Sequence, residues 1–272
     1  MGRRTSRCGV AHGENPTMLV DVVTTASSSL VAAVMVSLVL AGMLKGILGV
    51  GLPTIALPLV TMFIDLRAAV MLLSMPLVLS NIPQALEGGG AAECLLRLAP
   101  VLMGMLPGIL VGVALLFVVK ASIATLATGC FVLIVGSLPL FKPDFELPAK
   151  SHTPLGFLSG FSGGILGGLA AMPGPLVFTF LLAKGLRGKT FTKEASMFLV
   201  VSALLLAATL ASSQRFDVRD LAISAGAVAP VAVGMVIGQR FRDAVPALMF
   251  RRLVLIVVLA SGIELVRKAI FS

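Results

Sequence analysis

Lys45 is the only charged residue between Val22 and Ile64, and it directly precedes a glycine- and proline-broken phrase, KGILGVGLPTIALPLV at residues 45–60. A lysine in so apolar a run is costly at membrane depth and marks a functional candidate, an ammonium able to complement a small oxyanion. The competing reading is a shallower lysine whose stem lies along apolar surface while its head reaches the headgroups. A second phrase, GGILGGLAAMPGPLV at residues 163–177, repeats the first with one gap and carries Gly163 where the first has Lys45. Any role for the lysine is therefore asymmetric.

Glycine and proline are poor helix formers, and breaking a helix inside a bilayer strands backbone groups at several kcal/mol each unless they find partners. Membrane transporters use such breaks as binding sites, because a half-helix N-terminus offers N–H groups and a positive dipole end to an anion. In the first phrase Gly46, Gly49 and Gly51 allow close backbone approach, Pro53 suits the opening turn of a new half-helix, and Thr54 adds a hydroxyl. In the second, Gly163, Gly164, Gly167 and Gly168 loosen the chain, Pro173 and Pro175 restart the helix, and Ser159 and Ser162 add hydroxyls. The candidate substrate-binding set is thus Lys45, Gly46, Gly49, Gly51, Pro53, Thr54, Ser162, Gly163, Gly164, Gly167 and Pro173. Close helix packing of the GxxxG kind is the alternative use of these glycines. Ser74, Asn81 and Ser196, with Ser80, Gln84 and Ser202, are candidates for a polar path, although each alone is more often a helix–helix hydrogen bond. Gly104, Gly108 and Gly112, with Gly226, Gly234 and Gly238, read as packing ridges.

The elements that must carry these residues are membrane helices. The 272-residue chain is 58% hydrophobic and 12% charged, against about a quarter charged in soluble domains. Charge-free runs at 22–44, 46–64, 68–86, 98–119, 121–141, 153–183, 195–214, 221–239 and 253–263 approach or reach the ~20 residues of a spanning helix. The alternating polarity of barrel strands is absent. The fold class is all-α and polytopic. SMPLVLSN (74–81) pairs with SMFLVVSA (196–203), and VLIV recurs at 132–135 and 254–257. With the two broken phrases, these landmarks predict an internal duplication: a disordered tail over 1–20, a first repeat over 21–141, a polar linker at 142–152 and a second repeat over 153–272. Each repeat opens with a broken or re-entrant element, the second split at Gly167–Gly168. About eight spans follow, four per half in one orientation; ten shorter segments, five per half and inverted, is the alternative.

The net charge of +9 sits in short connectors, which is the pattern of topology-setting loops and not of a nucleic-acid surface. The basic connectors 184–193 and 240–252 are expected in the cytoplasm; with four spans per half, residues 142–152 then face outward. Cys8, Cys94 and Cys130 form no CxxC pair, and His12 and His152 lie outside the apolar runs, so no metal site is expected. No cofactor is implied. GLRGKT (185–190) lacks the first glycine of a P-loop. No nucleophile with an acid–base pair can be assembled within the spans, so an enzyme is not expected. Carboxylates are read at span ends or in connectors, Glu194 among them, which leaves the coupling ion (H+ or Na+) open, as it leaves the oligomeric state.

The phrase G-x-x-G-x-G-x-P followed by an apolar run and a second P-L, repeated as G-G-x-x-G-G with P-G-P-L, resembles the sulfite exporter TauE/SafE family, also described as toluene sulfonate uptake permeases. The resemblance covers roughly residues 27–270. Members commonly carry three consecutive glycines where this chain has Gly49-Val50-Gly51. The resemblance implies a multi-pass cell-membrane transporter of sulfite, a sulfonate or a related small anion. Another small carboxylate or inorganic anion, or a non-catalytic membrane assembly subunit, are the competing functions.

Overall fold

The computed structural model describes residues 19–49, 51–141, 148, 151–212, 216–241, 256, 259–260 and 262–270. Residues 1–18 of the expected tail and most of the 142–152 linker lie outside that set. Helices run in the order α1 (Leu19–Thr25), α2 (Ser28–Leu48), α3 (Leu52–Thr61), α4 (Leu66–Leu86), α5 (Ala91–Val118), α6 (Ala121–Phe141), α7 (His152–Ala170), α8 (Gly174–Ala183), α9 (Gly188–Ser212), α10 (Val218–Gly226) and α11 (Val228–Phe241). Residues 262–270 form a further helical stretch. Among the described residues, five helical segments are long and apolar enough to cross a membrane, joined by shorter apolar helices that include α3 and α8. The protein is a polytopic helical membrane protein.

Short polar side chains start these helices by taking up backbone donors that an N-terminus leaves free. Ser27 accepts from Leu30 N ahead of α2, and Asp65 accepts from Ala68 N ahead of α4. Asp217 opens α10 with a capping box closed by Asp220. Asp220 also accepts from Val20 N at 3.1 Å, tying α1 to α10.

The directions of the helices follow from which residues meet. α2 and α11 are parallel, because Gly42 faces Val231 and Gly46 faces Met235. α5 and α7 are parallel as well: Gly104, Gly108 and Gly112 face the carbonyls of Phe157, Phe161 and Ile165 in turn. From the α7 side, Gly160, Gly164 and Gly168 face Val101, Met105 and Ile109. Glycine every fourth residue on both partners lets the backbones touch, which is how helices pack where no hydrophobic effect drives them together. α4 runs with α2, since Lys45 reaches Ser80 and Asn81 while Leu38 and Leu72 line one apolar pocket. α5 turns back from α4 through residues 87–90. α2 and α7 therefore point in opposite senses. This orientation goes with the five-segment alternative and not with four spans per half in one orientation. Each helix that opens a half is welded to the third long element of the other half.

The start of α7 lies beside the start of α5, and the start of α9 also lies there, through Lys193 with Gly89 and Glu194 with Arg97. The linker's end at residue 152 is thus at the same end of the bundle as connector 184–193, which corrects the expectation of opposite sides. The reason is the half-length helix α8, which adds a reversal the four-span count omits.

Candidate functional site

α2 ends at Leu48 with Gly49 in the left-handed region (φ 79°), its N–H returned to Lys45 O at 2.7 Å. Gly51, also left-handed (φ 93°), then opens α3 with no side-chain cap, and Pro53 lies in the first turn. Both glycines are used where a Cβ would strain the backbone. Among the described residues a Cβ on Gly51 would meet nothing within 4 Å, so this side of the break is open. Pro53 is buried and Thr54 half-buried. One turn before the break, Lys45 is fully buried and donates to Ser80 Oγ (2.8 Å) and Asn81 Oδ1 (2.6 Å) on α4. Asn81 is oriented for this by its own amide, which donates to Leu77 O at 2.7 Å. Both partners of the ammonium are neutral, and among the described residues no carboxylate pairs with it. Gly46 points elsewhere, into the contact with Met235 on α11.

The second break is at 171–173, downstream of the predicted split at Gly167–Gly168. α7 runs unbroken through Gly163, Gly164, Gly167 and Gly168, because that glycine-rich stretch packs closely on two sides. Gly164 and Gly168 meet α5, while Gly163 and Gly167 meet the returning chain. Helix α7 ends on Ala171, the only described non-glycine residue with positive φ (53°). Ala171 N donates to Gly167 O (2.9 Å) and Met172 N to Leu166 O (3.3 Å), which closes the last turn. Pro173 then opens α8 with no side-chain cap. α8 folds back along α7: a Cβ on Gly163 would lie 2.8 Å from Pro173 O, and one on Gly156 would lie 3.2 Å from the Phe180 ring. A Cβ on Gly167 would lie 3.0 Å from Pro173 Cβ and 3.4 Å from Ser202 Oγ, so Ser202 of α9 flanks this break. Ser80, which pairs with Ser202 in the repeated octapeptide, flanks the first break through Lys45. Ser162 is half-buried on α7.

The chain matches the family described as Sulfite exporter TauE/SafE over residues 34–265, most of its length. It belongs to that family. A curated relative, the "Probable sulfite/organosulfonate exporter TauE" of Cupriavidus necator, is 29% identical over 174 residues. That alignment takes in 62% of this chain and 66% of the relative, slightly under two thirds of its length. No solved structure matches.

In this TauE/SafE chain the remaining path candidates form two further polar contacts. Ser196 Oγ donates to Gln84 Oε1 at 3.3 Å, bridging α9 and α4. Ser74 donates to Met71 O (2.8 Å) and lies 3.1 Å from Ser224 Oγ on α10. Sequence reasoning missed Ser224, whose purpose is set by Pro76. Proline has no N–H, so Leu72 O, four residues back, lacks its helical partner; Ser224 Oγ donates to it at 2.9 Å and accepts from Met75 N at 3.0 Å. The signal available was the proline, but nothing in the sequence says which distant hydroxyl answers it. Glu194 was missed too. It lies within α9 and is 1% exposed, not in a connector.

Proposed function

We propose that this chain is a secondary transporter of a small sulfur oxyanion, sulfite or an organosulfonate, in the cell membrane, and that the anion binds beside Lys45 at the first break. The single observation behind this reading is the burial of Lys45 between two neutral oxygens. An ammonium has three donors, two are engaged, and a buried charge needs a counter-charge. A small anion supplies it. The uncapped N-terminus of α3, opening on the space beside Gly51, adds backbone donors and a positive dipole end. Ser80 and Asn81 hold the ammonium, and Gly49, Gly51 and Pro53 shape the turn. Thr54 adds a hydroxyl. On the other half, Gly163, Gly167, Pro173 and Ser202 form the second break, which contributes an uncapped N-terminus without a cation. In this reading Gly46 and Gly164 hold helices together and do not touch the substrate; Ser162, Ser74 and Ser196 belong to the path or its supports.

The family name and the name of the curated relative favour sulfite and organosulfonates over carboxylates. The test is flux of radiolabelled sulfite into proteoliposomes holding the purified protein, with methanesulfonate, acetate, sulfate and chloride as competitors. Sulfite-dependent flux inhibited by methanesulfonate, and reduced in Lys45→Met at sulfite concentrations below saturation, is expected. Flux that Lys45→Met leaves intact removes the lysine from the site, and inhibition by acetate alone moves the substrate class to carboxylates. No flux of any of these anions favours an assembly role.

A further inference from the structure

Two fully buried carboxylates behave differently. Asp220 uses both oxygens, accepting from Val20 N at 3.1 Å on Oδ1 and from Asp217 N at 2.9 Å on Oδ2. Glu194 uses one. Its Oε1 takes Arg97 Nε at 2.8 Å, while Oε2 is buried without a hydrogen-bond partner among the described residues. A buried polar atom without a partner is rare and calls for a specific occupant. A hard cation collects six or more oxygen ligands, whereas a lone carboxylate oxygen suits a proton. Water reaches the pair from one side, because Arg97 and its second partner Glu93 are 42% and 75% exposed. Residues 194–199 of α9 are buried on every face, so Glu194 is interior and not a headgroup anchor.

The charged surroundings are limited. α5 brings Arg97, Glu93 and the buried thiol of Cys94; on α9 itself Lys193 is turned to Gly89 O. The turn before α9 holds Lys184 and Arg187, the first turn of α9 holds Lys189, and α7 carries only His152, at its first residue. The ionisable group of α4, Arg67, is bound to Leu116 O and Val119 O at the far end of α5.

We propose that Glu194 is a proton-binding site that couples anion movement to the proton gradient. The proposal rests on the transport reading above. A proton from the aqueous side bonds to Oε2, giving a neutral acid and leaving Arg97 with Glu93 as its remaining carboxylate partner; on release the proton returns to water. The change reaches the anion site through α4. Ser196, two residues beyond Glu194, donates to Gln84, which lies one turn past Asn81 and its bond to Lys45.

The test uses proteoliposomes with a trapped pH dye, comparing wild type with Glu194→Gln. Sulfite exchanges a proton of its own near neutral pH, so the difference between the two proteins is read. Wild type is expected to show sulfite flux accelerated by an imposed pH gradient. Glu194→Gln is expected to keep sulfite-for-sulfite exchange while gradient-driven accumulation falls at least tenfold and its pH profile flattens. A purely structural ion pair would lower exchange and accumulation together. Accumulation by Glu194→Gln as strongly proton-driven as wild type overturns the proposal, as does flux driven by sodium in place of protons. If Glu194→Gln is not recovered folded, Glu194→Asp decides: a displaced pH profile supports the site and an unmoved one overturns it. Absence of any anion flux by wild type overturns both readings, whereas normal flux with unchanged coupling in Glu194→Gln overturns this one alone.

Discussion

The break between α2 and α3 and the break between α7 and α8 have the same build: a long helix, a three-residue interruption, and a ten-residue helix with a proline in its first turn and no side-chain cap. They differ in what they do with space. At the first, two left-handed glycines leave Gly51 with no described neighbour on its Cβ side, and a buried lysine stands one turn away. At the second, the turn is made by Ala171 with φ 53°, and the position matching Lys45 is a glycine pressed against Pro173 O. One break is open and cationic, the other closed and apolar. The two breaks share a backbone plan, and they differ in the one buried cation and in the space around it.

The harshest way to break this comparison is to force symmetry on it. Gly163→Lys places a Cβ 2.8 Å from Pro173 O and 3.0 Å from Val177 Cγ2, an overpacking of about 3 kcal/mol. Folded protein recovered from membranes by fluorescence-detected size exclusion should fall severalfold. Next, Lys45→Met should leave abundance near wild type but weaken sulfite binding roughly tenfold, the loss of one contact of about 1.4 kcal/mol; titration of purified protein measures it. Gly51→Ala has room for its methyl, so only backbone strain acts, about 1–2 kcal/mol, seen as a lower melting temperature in detergent. The smallest effect is at the opposite break. Ala171→Gly relieves the left-handed strain and should raise the melting temperature, by about 0.5–1 kcal/mol of stability after the added chain entropy of glycine. If Gly51→Ala and Ala171→Gly shift stability in the same direction, the two turns are not the pair described.

The paired phrases were legible because glycine followed by proline inside an apolar run has few other uses, and so was the helical membrane fold. The second boundary was not, since glycine serves both a break and a close contact and the sequence does not say which. Gly164 and Gly168 turned out to face α5, Gly163 and Gly167 the returning chain, and the break fell at Ala171, a residue with no sequence signature for a turn. Lys45 was legible as a lone charge; its partners Ser80 and Asn81 were seen only as part of a polar stretch. Glu194 was lost for a physical reason. A charge next to Lys193, beyond the basic turn at 184–189, reads as loop, yet α9 begins six residues earlier, at Gly188, and carries Glu194 into the interior.

The glycine-lined seam between α2 and α11 has a consequence for how the protein is made. Gly42 and Gly46 pack against Val231 and Met235, which leave the ribosome about 190 residues later. At 5–20 residues per second, about 10–40 s separate the two partners. Throughout that interval α2 sits in lipid with its narrow groove unfilled, while α5 and α7 can already close theirs. The nascent chain therefore completes one of these two seams well before the other, and a chain cut short before residue 238 would leave the lysine-bearing helix unclasped and open to membrane quality control.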